Sequence, residues 1–323
     1  MATFIVRRIV WALFLFLTTT FLAYFIFFVM PANPAQLIAG RGANATDIAR
    51  VARFYHFNVP IWQRYWIFLW NIVRHGSFGQ SYVNGQPVRS LIAEDAPVTA
   101  SLVVGSAVLW LVISIPLGIL SALRPRSLVD RGSTTFVLFG ISTHPVVLGL
   151  VLSYVIGYRL HLTPIAGYCN FFPGNSAATC DGATHWASHL ILPWITFMVL
   201  FAALYVRLIR ATVIEAMSED YVRTARAKGA SERRVLTHHV VRNSLLPVVT
   251  ILGMDVGVAL GGAMFIETVF QLPGLGREIL HAYAAFDLPI IAGLITFMTV
   301  PVIAFNLAVD IVYGFLDPRI RTT

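Results

Sequence analysis

Apolar positions in this chain gather into six long blocks separated by short polar stretches: Ile9–Met30, Val98–Leu123, Thr134–Tyr158, Ile191–Ile209, Leu246–Ile266 and Pro289–Phe315. Each approaches or exceeds the roughly 20 residues a helix needs to cross a bilayer. The pattern predicts six transmembrane helices and an all-α polytopic membrane protein. The first block runs 22 residues behind Arg7-Arg8. A cleaved signal sequence has an apolar run of only about 7–15 residues, so a retained signal-anchor helix is expected.

Between the first two blocks, residues 31–97 form a long polar-aromatic loop. Thr46-Asp47 can cap a helix whose apolar positions Ile48, Val51, Ala52 and Tyr55 recur at helical spacing. Pro60 opens a second segment, Ile61–Val73, rich in Trp62, Tyr65, Trp66, Phe68 and Trp70. Trp and Tyr favour the membrane–water interface, so this segment is expected to lie on the membrane surface and pack on the bundle.

Composition agrees with the pattern. Of 323 residues, 57% are hydrophobic and 12% charged, against about 25% charged in soluble domains. This excludes a disordered chain, a disulfide scaffold and an ordinary soluble enzyme. The net charge of +8 is unaccompanied by an aromatic-basic platform, and no nucleic-acid partner is expected. The charge follows the positive-inside rule instead. With the amino end inside, the inner segments hold 15 Lys and Arg and the outer segments 8, of which six fall in the long 31–97 loop. Long loops count little in the rule, so both termini are expected to be cytoplasmic.

Candidate chemistry is sparse. Cys169 and Cys180 share one polar segment and can close a disulfide if it faces an oxidising space; two free thiols are the alternative. His185 and His189 stand four apart, yet no metal-ligand motif surrounds them, so interfacial histidines and no metal are expected. His238-His239 cannot share a helix face and read as polar packing. No G-x-x-x-x-G-K-[ST] occurs, so no phosphate-cradling loop is present in this sequence.

Within the membrane blocks, Gly253, Gly257 and Gly261 recur every four residues, a spacing that lets helices approach closely, and this span is expected to be central or at a seam with a partner. Asp255 lies near the middle of the same span, where an acid usually faces the interior or a water-filled cavity. Asp255 is therefore a candidate pathway residue or a structural partner. Glu267, at the span's end, is a candidate gate or an interfacial acid. Asp310 reads as structural. Pro116, Pro145 and Pro301 are each expected to kink a span.

The most informative segment is 218–247, SEDYVRTARAKGASERRVLTHHVVRNSLLP. Ser218, Glu219 and Asp220 mark a helix start, where side-chain oxygens cap free N–H groups and carboxylates suit the dipole. Tyr221–Lys228 follows as a short helix and Gly229 ends it; Ser231-Glu232 starts a second one. DYVRTARAKG at 220–229 with RNSLLP at 242–247 resembles the EAA loop of ABC-transporter permeases, in particular the B-type membrane subunit of dipeptide/oligopeptide importers. Arg223-Thr224-Ala225 stands where the general pattern has Glu-Ala-Ala. The resemblance extends to Arg7-Arg8, GSFGQSY at 76–82 with Pro87-Val88, ETVFQLPGLG at 267–276, and Asp310 with LDPR at 316–319. After the first span, where relatives often carry Leu-Pro-Gly-Asp-Pro, this chain reads MPANP at 30–34.

The resemblance implies a type I ABC importer permease fold in a bacterial or archaeal cytoplasmic (inner) membrane. It implies half of a translocation pathway, completed by a homologous C-type permease, driven by two ABC ATPase subunits that carry ATP and Mg, and fed by an extracytoplasmic solute-binding protein. It implies no enzyme activity and no cofactor in this chain. Carried over residue by residue, Glu219, Asp220, Tyr221, Arg223, Thr224, Ala225, Arg226, Lys228 and Gly229 form the ATPase-coupling helix and its break. The chain divides accordingly into an anchor helix (1–30), an extracytoplasmic loop with interfacial helices (31–97), a five-helix core holding the coupling loop 210–245 (98–315) and a cytoplasmic tail (316–323). Peptide cargo is expected; nickel chelates or haem remain alternatives of the same architecture, and a gradient-driven transporter a remote one.

Overall fold

The computed structural model describes the chain except residues 1, 30–33, 41, 55–57, 172–178 and 317–323. The tail beyond Leu316, the MPAN stretch and Tyr55 therefore lie outside the described residues. Regular structure among the described residues is helical, with two isolated β-bridges. The helices are α1 (Ala2–Val29), α2 (Pro34–Ala39), α3 (Ala45–Phe54), α4 (Ile61–His75), α5 (Val88–Leu123), α6 (Leu128–Ser142), α7 (Pro145–Leu152, continuing π-helically to Arg159), α8 (Ala183–Ser218), α9 (Asp220–Ala227), α10 (Glu232–Arg234), α11 (Arg242–Ser244), α12 (Leu246–Val269), α13 (Leu275–Ala284) and α14 (Leu288–Leu316). A π-helical stretch, Val235–Val241, joins α10 to α11.

Five helical runs are long and apolar enough to cross a membrane, and α6 with α7 makes a sixth if that pair counts as one span. Here the structure corrects the sequence reading. The block 134–158 is not one kinked helix: α6 and α7 meet at 105°. Thr143 and His144 are both extended (ψ 123° and 132°), and the His144 ring nitrogen accepts a hydrogen bond from the N–H of Val146. A residue before proline is pushed out of the helical region, and Pro145 at the first helical position starts a new helix cleanly. α5 and α14 run on through Pro116 and Pro301. α5 also starts ten residues before the apolar block, at Val88, because Val88–Pro97 is polar enough to lower the hydropathy yet remains helix-compatible.

The chain forms two compact units that interleave in sequence: Met1–Val98 with Pro273–Leu307, and Thr99–Leu272 with Ala308–Thr323. In the first, Tyr24, Tyr65, Leu69, Leu288 and Ala292 bury one cluster, and Val88, Ile92, Leu275, Ala282, Ile290, Ile291 and Leu294 another. A clasp fixes the turn before α5. Asp287 is buried and accepts hydrogen bonds from the Ser81 hydroxyl and from the N–H groups of Tyr82 (3.1 Å) and Val83 (3.4 Å). Gly293 lets this turn approach α14: a Cβ there would stand 2.8 Å from Val88 and 3.1 Å from Phe78. On α13, burial pushes the Glu278 carboxyl above its ordinary pKa, with Asp287 adding to the rise and His281 and Arg277 opposing it.

In the second unit α8 is the most buried span. Gly105 on α5 seats the Trp194 ring, Gly118 on α5 lies against Ile209, and Gly140 on α6 lies against Ala203 and the Val199 carbonyl. An added Cβ at Gly118 would come within 2.8 Å of Ile209, and at Gly140 within 2.6 Å of Ala203. Trp110 stacks on Phe201 with centroids 4.5 Å apart. The turn between α5 and α6 is held by Asp130. Its carboxylate accepts from the Ser121 hydroxyl (2.6 Å), the Arg126 N–H (2.8 Å) and the Arg210 guanidinium (2.7 and 3.3 Å). Arg126 sits at φ 64°, a left-handed conformation costly for a non-glycine residue, which Asp130 helps hold. Cys169 and Cys180 are joined in a disulfide, Cα–Cα 5.2 Å, which ties down the polar segment before α8.

Two outcomes follow for the purified chain. Asp130→Ala leaves the Arg210 guanidinium without its anion; thermal unfolding will show a lowered Tm, and adding Arg210→Met will recover part of the loss through the coupling of the pair. Removing the disulfide with a reductant, or by Cys169→Ser, will lower the Tm by the equivalent of roughly 2–3 kcal/mol. An unchanged Tm would count against each assignment.

Candidate functional site

The segment between α8 and α12 folds as a short helix, a glycine break and a second helical run. α9 presents Val222 and Ala225 inward, where they are buried with Val235 and Val240 of the following stretch. The rest of α9 is exposed: Tyr221, Arg223, Thr224 and Arg226 face outward, as do Asp220 and Lys228 at its ends. Its carboxyl end is a Schellman motif. Gly229 adopts φ 79°, its N–H reaches the Arg226 carbonyl (2.9 Å), and the Ala230 N–H reaches the Ala225 carbonyl (3.2 Å). A Cβ on Gly229 would meet open space, so only the backbone conformation asks for glycine.

The start of α9 differs from the expected side-chain capping. Glu219 occupies the cap position with no side-chain cap hydrogen bond, and the Ser218 hydroxyl donates back to the Glu215 carbonyl. Glu is a poor cap, and Asp220 and Ser218 each fall one position out of register. The basic residues are also differently engaged. Arg226 is clamped to Glu232 across the glycine break by two bonds of 2.9 and 3.2 Å, and Arg223 pairs with Asp220 at 3.5 Å. Both pairs are exposed and worth well under 1 kcal/mol each; the first bridges α9 and α10 across the break.

A cavity of about 460 Å³ opens where α6 breaks into α7. Thr143, His144 and Pro145 line one side, Phe197 and Phe201 of α8 another, and Val258, Gly262 and Phe265 of α12 a third. Asp255 stands about one turn along α12 from Val258, on the same side, and faces the buried Tyr205 hydroxyl closely enough to interact with it, but without hydrogen-bond geometry. Nothing in the periodicity announced this chamber; the only signal was Pro145 inside an apolar block.

Glu267 is elsewhere. It is fully buried and accepts a 2.6 Å hydrogen bond from the Thr99 hydroxyl, so it is not an exposed interfacial acid. Of the glycine series on α12, Gly253 is buried, Gly257 half-buried and Gly261 exposed, with nothing of this chain near a Cβ at that position. Close helix approaches fall at Gly105, Gly118 and Gly140, and α8 is the most buried of the membrane-length helices among the described residues. Met254, Val258, Gly261 and Phe265 form an exposed stripe on α12.

His185 and His189 do share a helix face, with ring centroids 5.3 Å apart, and their nitrogens and the Cys169 sulfur all lie within 4.8 Å of one another. That sulfur is in the disulfide and offers no thiolate, and the His189 Nδ1 lies 3.1 Å from the Gly167 carbonyl. Of the histidine pair at 238–239, His238 is exposed and His239 half-buried. Asp310 is half-buried near the end of α14.

Two family models match, together spanning nearly the whole chain: binding-protein-dependent transport system membrane component, N-terminal, over residues 1–103, and binding-protein-dependent transport system inner membrane component over residues 114–322. A protein of Sinorhizobium fredii named a probable peptide ABC transporter permease is 32% identical over 321 residues, covering 99% of this chain and 100% of that protein. The dipeptide transport system permease protein DppB of Escherichia coli K12 is 32% identical over 338 residues, covering 99% of each. The all-helical architecture, five or six membrane-crossing helices and the full-length likeness agree, and the chain belongs to the family of binding-protein-dependent transport system inner membrane components, the multi-pass permeases of ABC transporters.

Proposed function

We propose that this chain is the B-type permease subunit of an ATP-driven importer of di- and oligopeptides in a bacterial or archaeal cytoplasmic membrane. One observation carries the coupling role: α9, a two-turn helix ended by Gly229 in a left-handed Schellman turn, stands between two membrane helices with its charged side uncovered. A short helix of this kind buries too little to serve as a domain of its own and suits insertion into a groove on another protein. Arg223 and Lys228 are its docking side chains, whereas Arg226 bridges the break through Glu232. The peptide cargo rests on the names of the two relatives above.

In this reading two ATPases bind ATP and Mg outside this chain, which has no phosphate loop of its own. The excess of Lys and Arg in the inner segments puts both termini and α9 in the cytoplasm. The exposed stripe Met254, Val258, Gly261 and Phe265 meets the homologous C-type permease. Val258 and Phe265 both belong to that stripe and line the chamber at the α6–α7 break, so the chamber opens towards the seam, where a solute-binding protein delivers cargo from the other side. Asp255, beside Tyr205, supplies negative charge one turn away and suits a peptide ammonium. ATP binding closes the ATPase pair, moves the two coupling helices and turns the path outward; hydrolysis resets it. This chain contributes path and coupling, and the bond-breaking belongs to the ATPases.

Three measurements test this. Affinity capture of the tagged chain from native membranes will bring down two ATPases, a second six-span permease and a solute-binding protein; a chain recovered alone contradicts the importer reading. Gly229→Val forces a β-branched residue into the left-handed region, at a cost of about 1–2 kcal/mol. Uptake of labelled dipeptide will then fall at least tenfold while the chain still reaches the membrane; undiminished uptake would remove α9 from the coupling role. Gly262→Trp will fill the chamber and abolish uptake while both ATPases still co-purify; transport at the native rate would place the path elsewhere.

A further inference from the structure

The aromatic helix α4 has two apolar faces. One is committed: Tyr65 and Leu69 are buried, with Ile61 and Phe68 beside them, against α1 and the first turns of α14. The other carries Trp62, Trp66 and Trp70 at successive four-residue steps, 67%, 64% and 50% exposed. Gln63 and Arg64 lie off this stripe. Arg64 points by helical rotation to the side opposite Trp62 and interacts electrostatically with Tyr24 of α1.

The depth of α4 can be read from its partners. The Tyr65 hydroxyl donates to the Leu17 carbonyl at 3.0 Å and lies 2.7 Å from the Thr20 hydroxyl. Its ring meets Phe21 at 5.2 Å and Tyr24 at 5.8 Å, and Phe68 meets Tyr24 at 5.4 Å. Among the described residues, the run of α1 long and apolar enough to cross a membrane is Val6–Phe27. At 1.5 Å per residue, Leu17 sits about 15 Å below Phe27, close to the centre of a hydrocarbon layer about 30 Å thick. A tyrosine side chain reaches only about half that distance, so the backbone of α4 at Tyr65 cannot rest on the aqueous surface. Leu69, one turn later, packs with Leu288 and Ala292, the first residues of the membrane-crossing part of α14. From Tyr65 to Phe68 the partner on α1 moves from Leu17–Phe21 to Tyr24, so α4 rises as it proceeds. Arg74, in its last turn, lies over the Trp70 ring at 5.7 Å, a polar end for the shallow side.

We infer that α4 is a leaflet-embedded helix, entering the bilayer beside the second half of α1, and that its tryptophan stripe is a lipid-binding surface, deepest at Trp62 and reaching the headgroups at Trp70–Arg74. The occupant is phospholipid rather than another protein. The stripe continues the exposed apolar side of α1, where Leu13, Phe14, Phe21 and Phe25 stand uncovered along the membrane-crossing run. This reading places α4 deeper than a helix lying on the membrane surface. It holds whichever way the chain is oriented, because the depth is measured against α1 itself.

Both cysteines of the chain are in the disulfide, so single cysteines placed on α4 can be labelled alone. Trp62→Cys, Trp66→Cys and Trp70→Cys, each carrying a nitroxide in full-length chain reconstituted into phosphatidylcholine–phosphatidylglycerol nanodiscs, are read by power saturation with oxygen and with a water-soluble nickel chelate. Oxygen collisions are expected to exceed nickel collisions severalfold at 62, with the ratio falling in order through 66 to 70. A ratio favouring nickel at 62 would put α4 in water and overturn the inference. Low accessibility to both reagents at all three sites would mean that protein covers the stripe, and would overturn it equally. Because these side chains point away from the unit, the labels leave its packing intact. Quenching of unlabelled chain by lipids brominated near mid-chain, reduced in Trp62→Phe, gives an independent second reading; no reduction would also count against it.

Discussion

The larger unit depends on how closely its helices approach α8. In a bilayer the surrounding lipid is as apolar as a leucine, so helices gain little from hydrophobicity and associate mainly through tight packing. α8 supplies large side chains and its neighbours supply holes. Trp194 lies over Gly105, Ile209 meets Gly118, and Ala203 fits against Gly140. Phe201 of α8 stacks on Trp110 of α5. α6 ends before Pro145, and the chamber lies between that break and α8 and α12.

The same solvent makes every buried polar group a liability unless it is paired. The chain meets this with a few compact clusters. Asp130 gathers Ser121, Arg126 and Arg210, and so joins α5, the following turn, α6 and α8 through one carboxylate. Glu267 takes the Thr99 hydroxyl, and Asp287 gathers Ser81 and two backbone N–H groups. These acids are structural pins. Asp255 differs: it is half-buried and faces the buried Tyr205 hydroxyl rather than a cluster of donors. The contrast between pinned and unpinned acids separates framework from candidate site better than membrane depth does.

The segment between α8 and α12 shows how much of a candidate site local rules can specify. Gly229 was legible because a helix that ends on Arg226-Ala227-Lys228 needs a left-handed residue next, and only local geometry is involved. The partners of the basic residues were not legible. Arg226 finds Glu232 only because the break folds α10 back towards α9, six residues further along the chain. The glycine series 253–257–261 was legible as a smooth face but not as to its partner. Spacing reports that a face is smooth, not which helix will lie on it, and Gly261 turns out to face away from the rest of this chain.

By itself the sequence determined the all-α polytopic class, since apolar runs of membrane length can do little else in water. It determined the glycine-ended helix between α8 and α12 and brought the two cysteines close enough in one polar segment to pair. Tertiary structure alone decided that α8 is the most buried of the long helices, that α6 and α7 enclose a chamber with α8 and α12 where they meet, and that α4 packs along α1. Those outcomes depend on contacts between residues far apart in the chain, such as Tyr65 with Leu17 or Asp130 with Arg210. Periodicity along one helix carries no record of which distant surface will meet it.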